Sequence, residues 1–212
     1  MSRYLGKILA VLLWLSLATA TPAHAVLMKL VFQGSITSIS EPYAPPGVNL
    51  GDEVAGELVY DPVTIDGQPL TWIGYYPDAI KTFTLVIGSR NFPMMAPPNT
   101  SEIDVINDDL VLGKYYDKIL FRAAVLDEYY QEARLFQLSL AQAADVPPTV
   151  LTSDTLDAPI DINQFESKTG FMTYLPPGAS QGNDITLTSV YLYPVNRNTG
   201  GMIIPLLMLL LN

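Results

Sequence analysis

Residues 81–89 read KTFTLVIGS, and this short stretch indicates the fold class of the whole chain. Phe83, Leu85 and Ile87 alternate with threonine and valine before Gly88 ends the run. Successive side chains of a β-strand point to opposite faces, so apolar residues repeating every second position predict a strand with one buried face. Threonine, valine and phenylalanine also favour strands over helices.

The same alternation recurs along the chain, between segments rich in proline, glycine, asparagine and aspartate. Such residues favour turns because they fix or relax the backbone angle φ. We therefore predict an all-β fold, an antiparallel β-sandwich of jelly-roll type with about eight or nine short strands. The alternating runs lie at residues 30–37, 54–60, 81–87, 119–125, 136–140 and 185–191.

Two segments interrupt this pattern. Residues 158–165 are expected to form one short helical turn. Residues 127–144 contain several helix-favouring residues, so they predict either one longer helix or a hairpin that leads into a strand; we favour the hairpin. With no internal repeat, residues 26–195 are expected to form a single domain.

The first 25 residues have the features of a secretory signal peptide. Arg3 and Lys7 precede an apolar run at 8–18, and Ala23-His24-Ala25 follows as a cleavage site. We expect cleavage between Ala25 and Val26 and export to the periplasm, cell surface or extracellular space. A membrane anchor or a buried helix is the alternative, but the run is shorter than the about 20 residues needed to cross a bilayer.

Composition excludes several classes of function. Two of the 11 Lys and Arg residues precede Val26 and all 21 Asp and Glu residues follow it, so the processed chain carries a formal charge of −12. Such a charge disfavours binding to nucleic acid and to anionic lipid. There is no cysteine, and His24 is the only histidine, so the processed chain lacks the residues of a Ser-His-Asp triad, a cysteine nucleophile or a His- or Cys-ligated zinc site.

The C-terminal residues differ from the rest. Residues 196–201 contain a Gly-Gly linker, and residues 202–211 are apolar with Pro205 among them. This run is too short to span a membrane. It predicts either a last strand or frayed tail, or a shortened sorting or anchoring tail. Membrane contact is expected only through the signal peptide or this tail.

Several motifs follow one another in an order that resembles exported bacterial proteins of the PEP-CTERM type. The resemblance implies a secreted β-sandwich with no assigned catalytic activity, handled by an exosortase-like system and delivered to the cell envelope or extracellular matrix. The motifs are FxGSITSI at 32–39, GDxVxGxLxYD at 51–61, AIKTFTLVIG at 79–88, IDVINDD at 103–109, LTSDTL and DINQF within 151–165, and ITLTSV at 185–190.

The C-terminus departs from that family. Pro194-Val195-Asn196 stands where the family has Pro-Glu-Pro, the apolar run is half the expected length, and Asn212 replaces a basic cluster. We therefore expect simple secretion rather than covalent sorting.

A stretch at residues 102–107 resembles the catalytic strand of jelly-roll β-glucanases, whose pattern is E-I-D-x-x-E. Glu102 and Asp104 would share a strand face, about 6.5–7 Å apart. A retaining glycosidase needs two carboxyl groups about 5–5.5 Å apart, one of them a proton donor. Position 107 would supply the donor, but Asn107 cannot give up a proton. We therefore predict no catalysis here.

Acidic residues suggest a weak calcium site, and no other cofactor is expected. Asp104, Asn107, Asp108 and Asp109 lie close in sequence, and calcium takes six to eight oxygen ligands. Solvated loop carboxylates and turn-forming aspartates are the alternative explanation, which we favour. A second acidic group contains Asp154, Asp157, Asp161 and Asn163.

Aromatic residues give a second binding hypothesis. Trp72, Tyr75 and Tyr76 precede a predicted strand, and exposed rings can stack on sugars. Ordinary edge-strand tyrosines are the alternative. We predict a non-enzymatic protein of the envelope or matrix, with extracellular polysaccharide or envelope proteins as partners and weak glycan or calcium binding. The alternative is a carbohydrate-active enzyme or a carbohydrate-binding module of β-glucanase-like type.

Overall fold

The computed structural model describes residues 26–40, 45–68, 72–97, 100–128, 132–174 and 182–195. The signal peptide up to Ala25, the linker and the apolar tail lie outside these residues. Predictions about cleavage before Val26 and about the tail therefore stay predictions.

Alternation of apolar and polar residues produces a structure that is almost entirely β. Buried and accessible side chains alternate in most strands, as the period of two requires. The described residues form ten strands: β1 (Met28–Ser38), β2 (Glu53–Tyr60), β3 (Ile73–Pro77), β4 (Ile80–Ile87), β5 (Arg90–Pro93), β6 (Ser101–Val111), β7 (Lys114–Asp127), β8 (Glu132–Ala144), β9 (Ser167–Tyr174) and β10 (Asn183–Pro194).

Antiparallel hydrogen bonds join these strands in one continuous sheet, in the order β3-β6-β7-β8-β9-β10-β1-β2-β4-β5. The predicted all-β antiparallel class is confirmed. The two separate layers of a jelly-roll sandwich are not, because a single ladder of hydrogen bonds runs through all the described strands. The strand number exceeds the expected eight or nine, since β3 and β5 are only five and four residues long.

The sheet curls until its β5 end returns to β7. Met94 forms an antiparallel bridge with Val125, and the Met95 N–H donates to the Ala124 carbonyl at 2.8 Å. Strands far apart in the sheet order therefore face each other across one interior. This curling lets a single sheet bury its apolar face on itself.

An aromatic cluster occupies that interior. The rings of Phe32, Phe83 and Phe136, from β1, β4 and β8, have centroids 5.2–6.2 Å apart. Gly56 lies opposite Phe32 on the neighbouring strand, and a Cβ there would stand 2.3 Å from the Phe32 ring. Glycine at this position is what allows the ring to lie flat over β2.

The segment between β8 and β9 packs against the interior. Leu151, Leu156 and Phe165 are buried, and a 3-10 turn forms at Ile162–Gln164, so the predicted helical turn at 158–165 is confirmed. Strand β8 likewise confirms the preference for a strand over a helix within 127–144.

Two polar contacts hold this segment to the sheet. The hydroxyl of Tyr76 donates to the Asp154 carbonyl at 2.9 Å and accepts from the Leu156 N–H at 3.1 Å. The buried Asp117 accepts the Leu151 N–H at 2.7 Å and the Asp108 N–H at 3.1 Å. Each of these two side chains thus satisfies two backbone groups of the loops that pack against the sheet.

Candidate functional site

A group of polar side chains lies on the outward face of β3, β6, β7 and β8. It exists because Ile103 and Val105 point into the core, which turns Glu102 and Asp104 outward. Strand pairing brings Tyr75 beside Asp104, and Arg122 beside Glu102 and Gln137. We call this surface the charged face; it consists of Tyr75, Glu102, Asp104, Lys118, Arg122 and Gln137.

Arg122 is the centre of the charged face. Its Nη1 lies 2.5 Å from Glu102 Oε1 and 2.7 Å from Asp104 Oδ2, and its Nε donates to Gln137 Oε1 at 3.0 Å. The guanidinium group is therefore fixed by three acceptors from β6 and β8. Its side chain is still one quarter exposed, so a ligand can reach it.

Partial burial shifts the ionisation of this group. Burial raises the pKa of Asp104, and the charge of Arg122 opposes that rise. Burial alone lowers the pKa of Arg122, but the hydrogen bond and charge of Glu102 and the charge of Asp104 outweigh it, so its pKa is raised. Burial lowers the pKa of Lys118, with the positive charge of Arg122 adding to the effect. The two carboxylates thus favour the charged form of Arg122, whereas burial keeps the pKa of Asp104 raised.

The three aromatic residues singled out from the sequence have different environments. Trp72 precedes β3 and is 44% exposed, and Tyr75 points outward next to Asp104. Tyr76 points inward and is 4% exposed, held by the contacts to Asp154 and Leu156. Trp72 is exposed and Tyr75 is half-buried, so both can contact a ligand, whereas the ring of Tyr76 is part of the core.

The structure does not gather Asp104, Asn107, Asp108 and Asp109 into one cluster. Asp104 belongs to the charged face, while the ladder between β6 and β7 shifts register between Ile106 and Asp109. Asp108 there has a left-handed backbone with φ of 56°. Among the residues that the structure describes, no three His, Cys, Asp or Glu side chains come together to hold a metal. In the second acidic group, Asp161 caps the 3-10 turn by accepting the Asn163 N–H at 3.0 Å.

Sequence analysis did not predict a cleft at the C-terminal end of β7. Arg90 there pairs with Asp127, donates to the Pro46 carbonyl and lies over the Phe92 ring at 5.5 Å. The Asp127 side chain is 1% exposed. The alternation along β7 could have indicated that Asp127 is buried, since it falls in phase with the apolar residues 119–125. The cleft has a volume of about 560 Å³ and is lined by Pro46, Gly47, Ser89, Arg90, Asn91, Asp127 and Glu128.

Within the described ranges, no helix is both long enough and apolar enough to cross a bilayer. Comparison with known proteins gives no match, whether to a protein-family model, to a curated protein or to a solved structure. The resemblance to PEP-CTERM-type proteins therefore stays a prediction, and function has to be argued from the chain's own residues.

Proposed function

We propose that the protein is an exported, non-enzymatic component of the cell envelope or extracellular matrix that binds polysaccharide on the charged face. The observation that carries this proposal is the fixed guanidinium of Arg122, held by three acceptors next to the half-buried ring of Tyr75. Export rests on the predicted signal peptide at 1–25.

The chemistry of the charged face suits a sugar. A pyranose ring has hydroxyl groups that donate and accept hydrogen bonds, and a C–H face that packs on aromatic rings. Carboxylate, guanidinium and amide groups supply planar donors and acceptors, and Tyr75 and Trp72 supply rings. Because Arg122 and its partners are already held in place, a ligand meets them without the entropic cost of ordering long side chains.

The negative charge of the protein limits which polysaccharides we expect it to bind. The chain has a formal charge of −10, and Glu102 and Asp104 flank the one arginine of the charged face. A polyanionic glycan would be repelled by this field. We therefore expect neutral glycans, bound weakly because the face is open rather than a deep pocket.

The same geometry supports a binding role over catalysis. Glu102 and Asp104 both contact Nη1 of Arg122, so each carboxylate is already engaged in an ion pair. A general acid for glycoside cleavage must hold a proton at working pH. Position 107 supplies that acid in the β-glucanase pattern, and in this chain it is an asparagine. A carbohydrate-active enzyme is the competing hypothesis.

A glycan array probed with the full chain tests the proposal. Wild type should bind neutral glycans, and Tyr75→Ala and Arg122→Met should each weaken binding about tenfold, the loss of one stacking or charged hydrogen-bond contact. Tyr191→Ala removes an exposed ring on β10 and serves as the matched control. Absence of glycan binding, or equal binding by all three variants, would contradict the proposal.

The competing hypothesis needs a separate measurement. Wild type is incubated with each glycan that it binds, and new reducing ends are counted. We expect none. Glycan turnover that disappears in Glu102→Gln would replace the non-enzymatic proposal by the enzymatic one.

A further inference from the structure

Four large apolar side chains are exposed at the end of the sheet where the β6–β7 hairpin turns. Leu112 is 100% exposed, Val146 68% and Leu110 57%. Solitary exposed apolar residues are ordinary, but a group at one end of a molecule marks a surface that meets an apolar partner. We call this group the apolar rim; it consists of Leu110, Val111, Leu112 and Val146.

Strand order places these loops together. Adjacent antiparallel strands reverse direction, so the edge where β7 starts is the edge where β8 ends, β9 starts, β10 ends, β1 starts and β2 ends. The β6–β7 hairpin tip and Val146 after β8 both follow from that edge, since Tyr115 pairs with Ala144. The described chain also begins there at Val26 and ends there at Val195, because Met28 pairs with both Pro194 and Tyr60.

The backbone conformation of the hairpin tip destabilises the folded state. Leu112 and Gly113 form its two-residue turn with φ of 52° and 82°, the left-handed conformation that asparagine and glycine adopt most easily. Leucine is disfavoured there by its Cβ and gains nothing from burial, since it contacts only solvent. A strained, fully exposed leucine points to a role outside the fold.

We propose that the apolar rim docks on the surface of a zwitterionic lipid bilayer, with Leu110 and Leu112 entering the interface. Lys114, Tyr115 and Tyr116 follow the tip, and tyrosine is enriched at the level of lipid headgroups. The formal charge of −10 disfavours anionic lipid and disfavours a second copy of the chain. A pointed two-residue turn also offers far less area than the about 800 Å² that each partner of a stable protein interface buries.

The chain beyond the described residues supports the same orientation. The apolar residues 202–211 begin seven residues after Val195, which an extended chain spans in about 25 Å. A bilayer that contains residues 202–211 would therefore face the apolar rim, on the same side of the molecule.

The test uses the full chain and phosphatidylcholine vesicles in a flotation assay. Wild type should float with the vesicles, and the double variant Leu110→Ser/Leu112→Asn should bind about tenfold more weakly for each leucine that leaves the interface. Asparagine suits the left-handed turn, so this variant keeps the hairpin. Val86→Ser, on the outer side of β4, is the matched control and should float like wild type.

A second measurement locates the contact. The chain contains no cysteine, so Leu112→Cys can be labelled at one position with a polarity-sensitive fluorophore. We expect a blue shift on addition of vesicles, and no shift for the same label at Val86→Cys. Flotation without a shift at position 112 would mean that another segment holds the chain, and would overturn the proposal. Failure to float, or self-association that Leu112→Asn abolishes, would overturn it too. Glycan binding on the charged face is independent of every outcome.

Discussion

Replacing Tyr76 by phenylalanine removes one oxygen atom and two hydrogen bonds from the interior. The ring stays in place, because it is 4% exposed and packed in the core. The lost hydroxyl leaves the Asp154 carbonyl and the Leu156 N–H, now 2.9 and 3.1 Å from it, without that partner. Each buried group left unsatisfied costs about 1–3 kcal/mol. Leu156 is buried but Asp154 is half-buried, so we expect Tyr76→Phe to lower the free energy of unfolding by about 2–4 kcal/mol, below the full sum of two buried groups.

Urea denaturation followed by far-ultraviolet dichroism measures this loss. The midpoint should fall while the slope with urea stays the same, since the surface exposed on unfolding does not change. Tyr191→Phe, at an exposed ring, is the control and should stay within about 0.5 kcal/mol of wild type. A loss in Tyr76→Phe no larger than in this control would refute the idea that the hydroxyl fastens the segment at 151–157.

Three further predictions concern the fold and the charged face. Gly56→Ala should lower the melting temperature by about 3–10 °C, because the new methyl overlaps the Phe32 ring at a cost of about 1–3 kcal/mol; an unchanged thermal scan would contradict this. Asp117→Asn should lose about 1–3 kcal/mol in urea denaturation, because an amide has one acceptor for the two N–H groups of Asp108 and Leu151. Asp104 has a raised pKa when folded, so its proton stabilises the fold, and wild-type stability relative to Asp104→Asn should fall as pH rises through that pKa; a difference that does not change with pH above the ordinary pKa of aspartate would contradict it.

The strands could be predicted because their signal is local. Phe83, Leu85 and Ile87 show the period of two within seven residues, and each lies in the core. The turn at 162–164 is local too, since Asp161 caps it from one residue away. Neither feature depends on which strands become neighbours.

The curling of the sheet could not be predicted, because it depends on contacts distant in sequence. Nothing in the residues around Met94 indicates that they bridge Val125, or that Arg90 pairs with Asp127. The same limit applies to the charged face. Sequence spacing put Glu102 and Asp104 on one face, but Arg122 comes from the next strand and could be placed only by register.

The charged face and the apolar rim share the β6–β7 hairpin, and this gives the two proposals a common geometry. The rim lies where the hairpin turns, whereas Arg122 lies near the other end of β7, opposite Glu102. Ten residues separate Leu112 from Arg122, or about 30 Å along an extended strand. If the rim rests on lipid, the hairpin holds the charged face away from the bilayer, at a height where polysaccharide can reach it. Substitutions at the tip should therefore abolish vesicle binding while glycan binding persists, and substitutions at Arg122 should do the reverse.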